Sequence, residues 1–202
     1  KTIINDTNDL TLIAVTKNQT IKDIKTLYDL GIRNFGENKV QEILKKKDSF
    51  ENINWHFIGR IQSNKIKQIT QNSCLIHSVN ELRYFDLINK EAHKIGKVQD
   101  CLIQFNVANE ESKAGFKTNE YLEIIEYVKE LENVKIQGIM LMGPHVEDQQ
   151  EIESVFIEGK KLFDSINSIY PLTILSMGMS NDYKLAIKNG STHLRIGSAL
   201  FK

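Results

Sequence analysis

The chain switches its hydrophobic period again and again. A short continuous apolar run is followed by an amphipathic stretch, eight times over in 202 residues. The runs are TLIAVT (11–16), IRNFG (32–36), INWHFIG (53–59), CLIHSV (74–79), DCLIQFNVA (100–108), KIQGIMLM (135–142), LTILSM (172–177) and HLRIG (193–197). Each has strand length, and apolar residues that run on rather than alternate imply a sheet covered on both faces. Eight strand–helix repeats predict an α/β fold of the closed (β/α)8 barrel (TIM barrel) type. A doubly wound open sheet is the alternative, but it would stop at roughly five to seven strands, and no glycine-rich dinucleotide fingerprint follows the first run. At this length the loops must be short, and residues 1–202 are expected to form one domain.

The intervening stretches carry helix signals. Thr20 is placed to cap a helix bearing Ile21, Ile24 and Leu27, with Gly31 at its end. Ser63 is placed to cap one bearing Ile66 and Ile69. Ser78 and Glu81 have capping-box spacing ahead of Leu82, Phe85, Ile88, Ala92 and Ile95. Tyr121, Leu122, Ile125, Val128 and Leu131 form a further stripe. The longest helix is expected along Ile152, Val155, Phe156, Gly159, Leu162, Phe163 and Ile166, and a last one along Leu185 and Ala186 before Gly190. The lysine run 45–47 reads as a solvated helix end that complements the helix dipole.

Several function classes drop out. Lysine plus arginine and aspartate plus glutamate both number 26, so no global basic field exists to gather nucleic acid or an anionic membrane. No apolar run is long enough to span a bilayer, and the first residues are too polar for a signal peptide. Cys74 and Cys101 each sit in an apolar run outside any Cys-x-x-Cys pair, which predicts two buried thiols and a cytoplasmic setting. No two of the five histidines have metal-ligand spacing, so no metal site is expected. His56 and His193 read as barrel residues and His93 as an exposed helix residue, whereas His77 and His145 fall near the rim, within reach of a ligand. No Gly-x-Ser-x-Gly elbow activates Ser180 or Ser198. No large apolar helix face is left over, so a monomer is expected.

In a barrel the C-terminal strand ends share one face, and sites form there. The first strand ends at Lys17. A lysine at the mouth of an apolar strand is expected to be poorly solvated, which disfavours its ammonium form and frees the amine to form a Schiff base with an aldehyde. MGMSND (177–182) and RIGS (195–198) leave the last two strands through glycine and serine, the position where barrels often hold phosphate. Ser180 is placed at a helix cap, and Arg195 between the lysine and the phosphate loops. An amine facing an aldehyde, with a phosphate cup on the same rim, suits pyridoxal 5′-phosphate. A guanidinium at the pyridine nitrogen would keep that nitrogen unprotonated and weaken the cofactor as an electron sink.

These stretches, together with NFGENKVQE (34–42), WHFIGRIQSNK (55–65) and GSTHLRIGSALF (190–201), resemble the pyridoxal phosphate homeostasis proteins, barrels similar to the N-terminal domain of bacterial alanine racemase. The resemblance spans nearly the whole chain. It implies that Lys17 holds pyridoxal phosphate as a Schiff base. It further implies that Met179, Ser180, Gly197 and Ser198 lie on the phosphate side, that Arg195 faces the pyridine nitrogen and that Asn38 approaches the ring. It also implies a role in vitamin B6 homeostasis and amino-acid balance without established turnover, with apo forms of cofactor-dependent enzymes as candidate recipients. Lys65 is a secondary contact on the same reading. Chains of this kind usually carry a helix before the first strand, and here about ten residues precede that strand, so the helix is expected to be missing. Two readings compete. A fold-related racemase needs acid–base groups on both faces of the substrate carbon. A cofactor-free Schiff-base aldolase needs neither a phosphate cup nor an arginine aimed at a ring.

Overall fold

A computed structural model describes residues 10–108, 110, 114–144, 146 and 148–201. Eight parallel strands close into a barrel in sequence order: β1 (Thr11–Val15), β2 (Asn34–Glu37), β3 (Asn54–Phe57), β4 (Leu75–Val79), β5 (Gln99–Gln104), β6 (Val134–Met140), β7 (Ile174–Ser176) and β8 (His193–Ile196). β8 returns to β1 with Leu12 opposite Leu194 and Ile13 opposite Arg195. Seven helices among the described residues fill the crossovers: α1 (Ile21–Asp29), α2 (Val40–Lys46), α3 (Ile66–Asn72), α4 (Leu82–His93), α5 (Tyr121–Lys129), α6 (Gln149–Asn167) and α7 (Tyr183–Lys188). The expected absence of a helix before β1 concerns residues 1–9, which lie outside the described residues.

All eight predicted strands exist, with shorter or shifted bounds. The second begins at Asn34 rather than 32, and the fifth ends at Gln104, where a turn takes over the polar end of the run. Strand parity divides the residues into two layers. Leu12, Ala14, Phe35, Trp55, Ile76, Ile103 and Ile139 point outward into the main core beneath the helices. Inside the barrel, Leu75, Leu102 and Met140 form a small apolar cluster with Met142 and Ile174 against it. A polar layer shares the interior, with His56, His77, Ser176 and Arg195 all buried.

Helix starts follow the sequence signals only in part. Thr20 caps α1 in a full capping box with Asp23, as expected. Ser63 caps nothing; the chain enters α3 through a 3-10 turn, Ser63–Lys65, that moves the helix start to Ile66. Ser78 and Glu81 form no capping box, because β4 runs on to Val79 and the Ser78 hydroxyl donates to the Gly59 carbonyl at 2.5 Å. Glu81 instead pairs with Arg83 at 2.6 Å. Leu122 and Ile95 were assigned to apolar faces and are exposed. Cys101 is buried but Cys74 is exposed, because it lies just before β4 where the chain is still at the barrel's outer edge. His93 is exposed and His56 and His193 are strand residues, as expected.

The lysine run departs most from expectation. Lys45 is exposed, but Lys46 is only 4% exposed and pairs with the fully buried Glu37 at 2.6 Å. Glu37, at the end of β2, shares the outward layer with Phe35, so α2 lays Lys46 directly over it.

Candidate functional site

The chain reverses sharply after β1. The Thr16 carbonyl accepts from the Gln19 amide at 3.0 Å, closing a turn with Lys17 and Asn18 at its tip. Asn18 adopts φ 62°, a left-handed conformation that asparagine tolerates better than branched residues do. By parity Lys17 continues the inward face of Ile13 and Val15, which sends its amine into the mouth of the barrel. That mouth is a cavity of about 1150 Å³. Lys17, Asn38, Met179, Ser180, Arg195, Gly197 and Ser198 all line it. Lys17 is exposed there, against the expectation of poor solvation, since the mouth is open and wide. Any desolvation of its amine has to come from whatever fills the cavity.

Two loops face the lysine. After β7 the chain turns at Gly178 (φ 94°), where an added Cβ would fall 2.5 Å from the Ala186 Cβ, so only glycine fits. Ser180 lies two residues on. It is not the cap of α7; Asp182 holds that position, and its Oδ1 accepts from the Met179 amide at 2.5 Å. The Ser180 hydroxyl oxygen instead accepts from the Gly197 and Ala199 amides, each at 3.3 Å. Two backbone N–H groups from the β8 loop thus converge on the hydroxyl oxygen, a pair of donors that an oxyanion would receive in its place.

Arg195 is 5% exposed and rises from β8 into the floor of the cavity. Nη1 donates to Ser176 Oγ at 2.6 Å and Nη2 to the Leu141 carbonyl at 2.9 Å, which fixes the guanidinium plane. Burial pushes its pKa down to about 10, opposed by the Asp182 charge, so it stays a cation near neutrality.

Sequence reasoning missed what stands behind Arg195. His77 is not at the rim. It is fully buried, with Nδ1 3.1 Å from Ser176 Oγ and Nε2 3.1 Å from His56 Nδ1. His56 Nε2 lies 3.2 Å from Asn34 Oδ1, which also accepts from Asn54 Nδ2. Asn34 Oδ1 can only accept, so His56 carries its proton on Nε2 and His77 does the same. Ser176 then accepts from Arg195 and donates to His77 Nδ1. One chain of hydrogen bonds runs through the barrel with both imidazoles neutral. Burial, aided by neighbouring charge, lowers the pKa of His56 to about 3 and holds His77 well below the usual imidazole value. His145 lies outside the described residues.

The other wall comes from the loops after β2 and β3, with Lys39, Arg60, Gln62 and Lys65. Gly59 holds these loops together, since a Cβ there would lie 2.0 Å from the Asn38 carbonyl oxygen. Gly59→Ala is therefore expected to displace backbone and cost about 1–3 kcal/mol of stability, read as a lower denaturant midpoint. An unchanged midpoint would mean that the two loops move freely. Among the described residues no group of three or more His, Cys, Asp or Glu is placed to hold a metal, and no helix is long and apolar enough to cross a membrane.

Residues 5–202 match the family model of the alanine racemase N-terminal domain. The chain is 39% identical over 194 residues to a pyridoxal phosphate homeostasis protein of Aquifex aeolicus, covering 94% of this chain and 85% of that one. It is 42% identical over 195 residues to a protein of the same name from Helicobacter pylori, covering 95% and 86%. Among solved structures it is similar to PipY of Synechococcus elongatus PCC7942, known without and with PLP bound. The PLP-free form gives a TM-score of 0.91 at 30% identity, over 97% of this chain and 94% of PipY. An alanine racemase of Clostridium difficile 630, 14% identical with a TM-score of 0.77 over 96% of this chain and 52% of its own, shares the fold.

Proposed function

The chain belongs to the pyridoxal phosphate homeostasis proteins, within the family of the alanine racemase N-terminal domain, and from that premise we propose that it binds pyridoxal 5′-phosphate in the mouth of its barrel and serves intracellular vitamin B6 homeostasis. The observation that carries the reading is the convergence of an amine, an oxyanion cup and a buried cation on one cavity. When bound, the cofactor supplies an aldehyde, an acidic phosphate and a pyridine nitrogen. The residues present suit all three. Lys17 would form the Schiff base with the aldehyde. Ser180, Gly197 and Ser198, with the Ala199 backbone amide, would hold the phosphate, and Met179 would line its side of the cavity. Arg195, clamped by Ser176 and Leu141, would face the ring nitrogen and oppose its protonation, while Asn38 would approach the ring from the β2 side.

A permanent cation at the ring nitrogen favours holding the cofactor over turning it over. The relatives carry the name of a homeostasis protein and not that of an enzyme. We further propose that residues 1–202 act as one barrel domain, as a monomer in the cytoplasm, with apo-enzymes that need the cofactor as recipients. The test is the absorbance spectrum with added pyridoxal 5′-phosphate, before and after borohydride, followed by mass mapping. A yellow protein that bleaches on reduction and carries the added mass on the Lys17 peptide is expected. A protein that stays colourless and binds no pyridoxal 5′-phosphate overturns the reading.

A further inference from the structure

The turn that presents Lys17 is held from behind by a buried ion pair on the far side of the sheet. Thr16 precedes Lys17 and, by strand parity, points the opposite way, out of the barrel and under α2. Its hydroxyl donates to Glu37 Oε1 at 2.6 Å. Its carbonyl accepts from Lys46 Nζ at 3.0 Å, and Lys46 Nζ also donates to the same Glu37 Oε1 at 2.6 Å. Both side chains are withdrawn from water, at 5% exposure for Lys46 and 0% for Glu37. Thr16 is itself fully buried, and its amide donates to the Gly36 carbonyl at 3.0 Å.

The bonding is lopsided in a telling way. Glu37 Oε1 takes both donors, while Glu37 Oε2 is buried with no hydrogen-bond partner among the described residues. A buried pair arranged only for stability would spread its bonds over both oxygens, because an unsatisfied carboxylate oxygen away from water is costly. Lys46 also lies 3.6 Å from Glu42 Oε2 on its own helix, but both members of the pair bond to Thr16, the residue that roots the Lys17 turn. Oxygen and carbonyl of Thr16 are gripped together, so the peptide between Thr16 and Lys17 can neither rotate nor slide along β1. The grip comes from β2 and α2, two elements separate from the oxyanion cup and from Arg195.

We infer that the Lys46–Glu37 pair is a positioning device that aims the Lys17 amine at its aldehyde partner. This rests on the proposed attachment at Lys17. In that attachment the unprotonated Nζ attacks the aldehyde carbon, a C=N bond replaces C=O, and the oxygen leaves with the two amine protons as water. No oxidant or other reactant is needed. Correct aim matters because such a step gains its rate from a near-attack geometry of the two reacting atoms. Neither Lys46 nor Glu37 lines the cavity; they act through Thr16.

The experiment separates binding from attachment. Wild type, Thr16→Val, Lys46→Met and Glu37→Gln are mixed with pyridoxal 5′-phosphate. Total bound cofactor is read by equilibrium dialysis, the attachment rate by stopped-flow absorbance, and the adduct at Lys17 by borohydride trapping and mass mapping. The expected result is an attachment rate at least tenfold lower in the variants, with total binding within about threefold of wild type. A device that only stabilises the fold would lower the melting temperature and leave the attachment rate of the folded fraction unchanged; that result overturns the inference. Thr16→Val keeps the ion pair and removes only the hydroxyl link, so it decides the matter if the charge variants fail to fold. If wild type binds and forms its adduct while Thr16→Val matches it in rate, the inference alone falls. If wild type forms no adduct at Lys17, the proposed attachment falls and takes this inference with it.

Discussion

Lys17→Ala should abolish the borohydride-trapped adduct entirely while leaving a folded protein that still takes up pyridoxal 5′-phosphate weakly. The reasoning separates two sources of affinity. The cup of Ser180, Gly197 and Ala199 is built by the loops after β7 and β8, and Arg195 is fixed by Ser176 and Leu141, so none of these depends on the lysine side chain. The proposed contacts of the cup to the phosphate and of Arg195 to the ring nitrogen would survive the substitution. What disappears is the covalent link, and with it the colour that bleaches on reduction. Affinity should fall by roughly a hundredfold, the size of losing one strong interaction of about 2–3 kcal/mol. Stability should hardly change, because Lys17 is exposed and makes no buried contact that alanine would leave open. Dialysis, absorbance and a melting curve read the three quantities together. An adduct that persists on another lysine of the mouth, such as Lys39 or Lys65, would move the attachment point and refute the assignment.

The parts of this molecule that were legible in the sequence are those written in contiguous residues. Eight apolar runs dictate eight strands, and barrel closure then places strand ends on one rim without further information. Lys17, the MGMSND loop and the RIGS loop each announce themselves within a few residues, and all reach the same cavity. What was illegible depends on distant pairs. A run of three lysines gives no sign that its middle member is buried, because the cause is Glu37, which lies nine residues back in sequence and is brought under α2 by the fold. His77 looked like a rim residue from its distance along the strand. Parity turns it inward, where its partner Ser176 is 99 residues away. Ser180 reads as a helix cap because serine favours caps, yet Asp182 takes that place and frees the hydroxyl to bridge to the β8 loop. In each case a local preference was correct chemistry attached to the wrong partner.

Acid should unfold this protein earlier than its carboxylates would suggest. His56 has a pKa of about 3 in the folded chain against 6.5 when exposed, His193 about 4, and His77 lies well below 6.5. Burial is the main cause in all three. With folded values depressed, the unfolded chain binds more protons as pH drops below 6.5, so the stabilisation present above that pH is lost on acidification. Each such histidine contributes about 1.4 kcal/mol per pH unit across its window. His56 alone should remove about 2 kcal/mol between pH 6.5 and 4.5, and His77 acts in the same direction. The carboxylates held below their usual range, Asp23, Glu42, Glu81 and Glu153, act at lower pH and leave this window to the histidines. The hydrogen-bond chain adds a reason beyond burial. Ser176 already donates to His77 Nδ1, so a proton placed there would face a donor and sit beside the Arg195 cation. The imidazoles therefore stay neutral in the folded protein across this window, so stability should fall on acidification while the Arg195 clamp and the cofactor affinity of the folded fraction hold. Urea midpoints at pH 8, 6 and 5 read the first effect, and dialysis of pyridoxal 5′-phosphate at the same pH values reads the second. His77→Gln should flatten the pH slope of stability; a wild-type midpoint that holds steady from pH 8 to pH 5 would show that the imidazoles are charged at no cost and that the chain of neutral tautomers is wrong.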